Sequence, residues 1–236
     1  MSFDELDITR WDDVGDEPAG SKQGKRWLAE PHLTERRRWL FKPNVPGKAY
    51  RGDDWSEKLA GEVAKLLGLP CARTELALRE GGFGVISRDV AEARSLAMGN
   101  EVLAGRVPGY GRGARNRIPG YTPEGVLEAL DGLDVGPPPG SSSGVSAPAT
   151  FAGYLVLDAL VANMDRHDEN WGLLLAPSDN PLLAPTFDHA SSLGFQLSDE
   201  EREDRLTTSD RGRTVEAYAA ILRRVAPSLP AVDRAD

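Results

Sequence analysis

The stretch that most limits what this chain can become is Val161–Leu175, VANMDRHDENWGLLL. Six polar residues, Asp165 through Asn170, stand between two apolar runs. The run before them, Thr150 to Ala162, is apolar on nearly every side, which predicts a buried helix. The runs after them, Gly172–Pro177 and Leu183–Ala190, predict two short strands across a Ser-Asp-Asn turn. A buried helix and a hairpin form a rigid mount. A charged loop held between them is costly to bury and is expected to face a cleft.

The first half of the chain reads differently. KRWLAEP (from Lys25) and RRRWLFKP (from Arg36) predict a strand hairpin that Pro43 and Pro46 stop. Asp54–Leu67 predicts a helix, capped by Asp53 or Asp54 and ended by Gly68-Leu69-Pro70. Trp55, Leu59, Val63, Leu66 and Leu67 share one face at helical spacing. Glu62 lies near the edge of that face and Glu57 well away from it, so helical geometry points Glu62 inward. RTELALR and GFGVISR alternate as strands around Glu80-Gly81-Gly82. Residues 1–19 are acidic and weakly hydrophobic, which predicts a flexible arm.

In the second half, Thr122–Leu133 predicts a helix with Thr122 as cap. The segment from Asp134 to Ala149 is rich in Pro, Gly and Ser and predicts a flexible connection. Ser198 and Glu201 form a capping-box pattern, and Thr214–Val225 predicts a final helix. Gly105–Arg117 is a Gly/Arg loop.

Several function classes are excluded early. A single cysteine, Cys71, rules out a disulfide framework and a cysteine zinc site, and its place at a helix end predicts a packing role. No run approaches a membrane span, and the acidic N-terminus is no signal peptide, so a cytoplasmic protein without a membrane partner is expected. The net charge of −9 argues against a general nucleic-acid binder. Basic residues nevertheless gather between Lys22 and Lys42, beside the glycine-bearing loop Gly20-Ser21-Lys22-Gln23-Gly24-Lys25, which hints at a local anion site. The chain has no Walker motif, no Gly-x-Ser-x-Gly elbow and no second histidine at metal-ligand spacing. Asn170 stands where a calcium loop of the EF-hand type needs glycine.

The polar loop itself points to phosphoryl transfer. Asp165, Asn170 and Asp188 fall at the tips of elements that should pack together, and three oxygen donors beside a cleft suit Mg²⁺. The step of five from Asp165 to Asn170 is that between a kinase catalytic base and a metal-holding asparagine. Asp188, after the next strand, is placed like a second metal ligand. Lys42, at the end of an apolar strand, could hold phosphate oxygens, with an acid from the following helix to orient it.

GSKQGKRWL, WLFKPN, SEKLAGEVAKLLGLPCARTELAL, GVISRDV, MGNEVL, NMDRHDENWGLLL and PTFDHASSLG together resemble the HipA-like kinases, from about Gly20 to Phe195. The Asp-Arg-His-x-x-Asn order also resembles the phosphatidylinositol kinases. The resemblance implies an α+β, two-lobed protein-kinase-like fold. A small antiparallel-sheet N-lobe would span residues 20–89 and a mainly helical C-lobe residues 90–236. It implies an ATP- and Mg²⁺-dependent kinase acting on Ser/Thr of a protein, with Asp165 as base and His167 supporting the loop or the γ-phosphate. Asn170 and Asp188 would bind the metal and Lys42 the ATP phosphates. Gly20, Ser21, Lys22 and Lys25 would form the loop over the phosphates, with Ser21 a candidate for autophosphorylation. Ile86, Ser87 and Arg88 would receive adenine through backbone groups. Matching to the family favours Glu57 as partner of Lys42, against the geometric preference for Glu62. Asp168 and Glu169 are expected on the solvated outer side.

The pattern also departs from the family. Toxin-type members carry a further N-terminal domain with no counterpart here, and a short stretch follows Asp188. An antitoxin-like partner therefore stays possible but is not indicated. A lipid or small-molecule kinase with the same site, or a nucleotide-binding pseudokinase acting as an interaction module, are the alternative readings.

Overall fold

The computed structural model describes residues 3–15, 24–31, 37–45, 51–111 and 118–209. Gly20, Ser21, Lys22, the expected helix Thr214–Val225 and part of the Gly/Arg loop lie outside the described residues.

The first sheet has six strands: β1 (Leu6–Asp7), β2 (Asp12–Gly15), β3 (Arg26–Ala29), β4 (Arg38–Pro43), β5 (Thr74–Arg79) and β6 (Gly82–Arg88). Their order is β1-β5-β6-β4-β3-β2. Only β1 on β5 is parallel; the other pairings are antiparallel. Both expected hairpins form. Between β5 and β6, Glu80 (φ 52°) and Gly81 (φ 81°) make the two-residue turn, whose positive φ values match the twist of the paired strands.

Within the expected arm, residues 3–15 are joined to the first sheet. β1 and β2 sit at opposite edges of the sheet, so the chain between them crosses its face. Ile8 and Trp11 are buried there against Leu28, Trp39, Phe41, Ala77 and Ile86. Trp11 meets Trp39 edge-on, with ring centroids 5.9 Å apart. Two anchoring side chains in the link between two very short strands leave little periodicity for a sequence pattern to show.

Helix α1 (Asp53–Leu66) lies where expected but turns a different face inward. Ser56, Glu57, Ala60, Gly61 and Ala64 are buried, whereas Leu66 is 87% exposed. The reason is clearance. A Cβ on Gly61 would stand 2.9 Å from Thr74 Oγ1, so only a small-residue face can lie this close to β5. The opposite side of Ala60 and Ala64 packs on Leu157 and Val161.

The second part holds a sheet of order β7-β8-β9, made of β7 (Ser95–Met98), β8 (Gly172–Ala176) and β9 (Asp179–Leu183). Helices α2 (Gly99–Ala104), α3 (Pro123–Gly132), α4 (Ala147–Val161) and α5 (Asp199–Thr207) accompany it. Phe151, Tyr154 and Trp171 centre its core, with Leu130, Leu173 and Leu183 around them. Thr122, Ser146 and Ser198 cap α3, α4 and α5 through their side-chain oxygens.

Two local expectations are corrected. The second strand runs over Asp179–Leu183 rather than Leu183–Ala190, with a tighter turn at Pro177-Ser178. Its outer position in the sheet tolerates Pro181. Beyond it the chain leaves the ladder, and Thr186 bridges Cys71 instead. The Pro/Gly segment is also tied down, because Gly136 exchanges backbone hydrogen bonds with Pro181 and Leu183 along β9. Among the described residues no helix is long and apolar enough to cross a membrane.

Candidate active site

Strand alternation puts Trp39 and Phe41 on the face under the N-terminal strap and Leu40 and Lys42 on the other. Lys42 therefore points toward α1. Its Nζ donates to both carboxylate oxygens of Glu57, at 3.1 and 3.0 Å, and to Asp188 Oδ1 at 2.9 Å. Glu57 is fully buried. Glu62 takes no part, since it accepts from Lys58 and Lys65 instead. The structure thus pairs Lys42 with Glu57, against the helical-geometry reading, because the buried face is the small-residue one.

Lys42 attracts both acids, while the acids repel each other: burial raises the Glu57 carboxyl, Lys42 pulls it down and Asp188 raises it again. Burial opposes the Lys42 ammonium, but Asp188 and then Glu57 outweigh it and hold its pKa above the ordinary value. Burial pushes Asp188 up, yet Lys42 and then Lys25 pull its carboxyl well below the usual range. Asp188 is ionised at neutral pH. Its φ of 58° is a left-handed conformation that an aspartate adopts at some cost.

The polar loop hangs from the end of α4. Ala162 (φ 51°) ends the helix in the left-handed conformation, and Asn163 N–H bonds back to the Asp158 carbonyl. Arg166 then clamps the loop. It donates two hydrogen bonds to Asp158, at 2.7 and 2.8 Å, one to Thr186 Oγ1 at 3.0 Å, and others to the carbonyls of Asn170 and Phe187. One buried guanidinium therefore holds the loop, the helix and the residue before Asp188 in register. Asn170 is buried, and its amide N–H donates to the Asp165 carbonyl, leaving Oδ1 as its remaining acceptor.

Asp165 and His167 project outward, with side chains 54% and 40% exposed. His167 Nδ1 accepts from Glu169 N–H, so the neutral ring carries its proton on Nε2, which lies 3.9 Å from Asp165 Oδ1. Asp168 departs from expectation: it is buried and accepts from the Tyr110 hydroxyl. Its burial follows from its backbone, since the Asp168 carbonyl accepts from Asn100 N–H at the start of α2.

A cleft of about 410 Å³ opens beside the triad, lined by Lys25, Lys42, Ser87, Arg88, Glu169 and Asp188 among others. Ile86 does not face it; its side chain is buried under the strap. Asp165, His167 and Asn170 are likewise outside the described lining, and Glu169 is the loop residue that reaches it.

The sequence reading missed Asp158, Arg166, Thr186 and Ser56. Asp158 carried a signal, a lone charge inside an apolar helix eight residues before an arginine. Ser56 gave none: it bonds Ser192 O at 2.8 Å across 136 residues, fastening α1 to the segment after Asp188. His189, buried on Thr186 Oγ1, is held neutral: burial and then Arg166 push its pKa down to about 3.

No family model and no curated protein matches the chain. Among solved structures, it is similar to the Helicobacter pylori proinflammatory kinase CtkA, with 21% identity and a TM-score of 0.63 over 88% of this chain and 67% of that one. It also aligns with a chain of the Shewanella oneidensis MR-1 toxin–antitoxin complex of HipA, HipB and operator DNA, at 15% identity and a TM-score of 0.47, over 90% of this chain and 57% of that one. The first likeness shows that this chain shares the α+β fold of a kinase.

Proposed function

We propose that the chain is a HipA-like phosphotransferase that uses ATP and Mg²⁺ to phosphorylate Ser/Thr hydroxyls of a protein. The observation that carries this reading is the triad: Lys42 joined to buried Glu57 and to Asp188, with Lys42 and Asp188 in the lining of a cleft of nucleotide size.

The donor set fits the metal. Among the described residues no three His, Cys, Asp or Glu side chains gather as a self-sufficient cage. Asn170 Oδ1 and the ionised Asp188 carboxylate offer hard oxygens, which suits a cation that takes one or two protein ligands and completes its shell with phosphate and water. Bound there, Mg²⁺ would neutralise phosphate charge. Lys42 would hold phosphate oxygens, oriented by Glu57. The backbone of Ile86–Arg88 would receive the adenine, with Ser87 and Arg88 at the cleft wall. Asp165, exposed and fixed at its backbone by Asn163 and Asn170, is free to take the proton of an acceptor hydroxyl. His167 Nε2–H, beside it, would steady its carboxylate.

Lys25 adds a further cation to the cleft, and Gly20, Ser21 and Lys22 would complete a loop over the phosphates. The proposed setting is cytoplasmic, with no membrane or nucleic-acid partner. Asp165→Asn should abolish transfer from radiolabelled ATP to protein while nucleotide binding persists. Full activity in that variant would remove Asp165 from the role. Supplying lipid and small-molecule hydroxyls in parallel tests the acceptor class.

A further inference from the structure

Four carboxylates line the cleft among the described residues: Asp89, Glu92, Glu169 and Asp188. Three have a cation of their own. Asp89 lies 3.8 Å from Arg38, Glu92 2.5 Å from Arg88 and Asp188 2.9 Å from Lys42. Glu169 is the one that enters no ion pair among the described residues. It is nonetheless held: Asn100 Nδ2 donates to its Oε1 at 3.0 Å, and its own N–H is fixed on His167 Nδ1. Asn100 is anchored in turn by its N–H on the Asp168 carbonyl at 2.9 Å. Glu169 Oε2 is left as an acceptor at the cleft.

An unneutralised carboxylate repels phosphate. It binds well to vicinal hydroxyls, each of which can donate a charge-assisted hydrogen bond. Its place along the cleft agrees. The phosphate end is marked by Lys42 and Asp188, and the other end by Ser87 and Arg88. A nucleotide runs base, ribose, phosphate. Glu169 lines this same cleft, directly before Asn170 in the chain and tied to Asn100, two residues after Met98 of the cleft wall. Resting on the nucleotide reading above, we infer that Glu169 binds the ribose hydroxyls of the nucleotide and sets a preference for ribo- over deoxyribonucleotides. Asn100 is its positioning residue.

The test is calorimetric titration of the whole chain with Mg²⁺-ATP and Mg²⁺-2′-deoxyATP. The wild type should bind ATP about tenfold more tightly, the scale of one charge-assisted hydrogen bond at a partly exposed site. Glu169→Ala should bring the two affinities within about twofold by weakening ATP alone, and Asn100→Ala should lower the ratio by less. The ratio is an internal control, because a general distortion of the cleft weakens both ligands together. If the wild type binds both nucleotides equally, or Glu169→Ala weakens both by the same factor, the ribose assignment is overturned and the nucleotide reading stands. If neither nucleotide binds the wild type, both fail.

Discussion

Lys42 donates to both carboxylate oxygens of Glu57, a residue with no exposed surface, fifteen positions on and in a different element. Because α1 is fastened on its other side to α4 and, through Ser56, to the segment after Asp188, this pair is set by the packing of the whole site. Glu57→Gln should lower phosphoryl transfer by roughly tenfold to a hundredfold, the range for removing one preorganised electrostatic contact. Glu62→Gln should stay within about twofold of wild type, since Glu62 bonds Lys58 and Lys65 and not Lys42. Single-turnover transfer measured on the two variants separates them. Equal losses would show that the pair does not orient Lys42.

The Asp158–Arg166 pair should behave as a buried clamp. Arg166→Met leaves the Asp158 carboxylate buried and removes the link to Thr186. A loss of roughly 3–5 kcal/mol in unfolding free energy is expected, as for breaking a buried pair from one side. Urea denaturation measures it. The double variant Asp158→Leu/Arg166→Met should recover part of that loss, because no charge is then stranded.

The N-terminal strap should contribute as core. Trp11→Ala should cost roughly 3–5 kcal/mol, and Ile8→Ala roughly 2–5 kcal/mol, by thermal or chemical unfolding. Leu66→Ala, at a position 87% exposed, should change stability by no more than about 0.5 kcal/mol. A negligible effect of both strap substitutions would restore the picture of a loose arm.

Stability should fall in mild acid through His189. Its pKa is about 3 in the fold against 6.5 for the free side chain, because burial and then Arg166 disfavour the imidazolium. Below pH 6.5 the unfolded chain takes up a proton that the native chain refuses, so stability is full above that pH and is lost toward pH 3. By pH 5 the loss is about 2 kcal/mol from this one group. His189→Gln should flatten that part of the pH–stability curve, whatever its effect at neutral pH.

Cys71 should resist modification in the native state. Burial, and then the Glu57 charge, push its thiol up to about 12, leaving almost no thiolate at pH 8. A thiol reagent should react only on unfolding, so its rate reports opening of the α1–Thr186 junction.

Much of the loop could be read directly. Asp165 and Asn170 are five residues apart, and the hydrogen bond that joins them, Asn170 Nδ2 to the Asp165 carbonyl, needs nothing distant. The two-residue turn at Glu80-Gly81 and the caps at Thr122 and Ser198 were equally local. Asp168 was not legible, because the groups that hold it, the Asn100 N–H on its carbonyl and the Tyr110 hydroxyl on its side chain, lie far away in the chain. The strap was hidden for a similar reason, since its strands pair with segments at both edges of a sheet that forms later in the chain.

What the sequence determined by itself is the chemistry on offer: a lysine ending an apolar strand, an acid-rich helix, an Asp-x₄-Asn loop and a later aspartate. Short-range spacing, capping and alternation decide these, because their partners lie within a few residues. Which acid meets the lysine was decided only in three dimensions. Periodicity ranks a helix's faces by hydrophobicity, but here the face turned inward is the one small enough to approach β5, and it carries Glu57 with it. The meeting of Lys42 with Asp188 across 146 residues likewise exists only once α4 has packed on α1 and Ser56 has fastened α1 to the segment after Asp188.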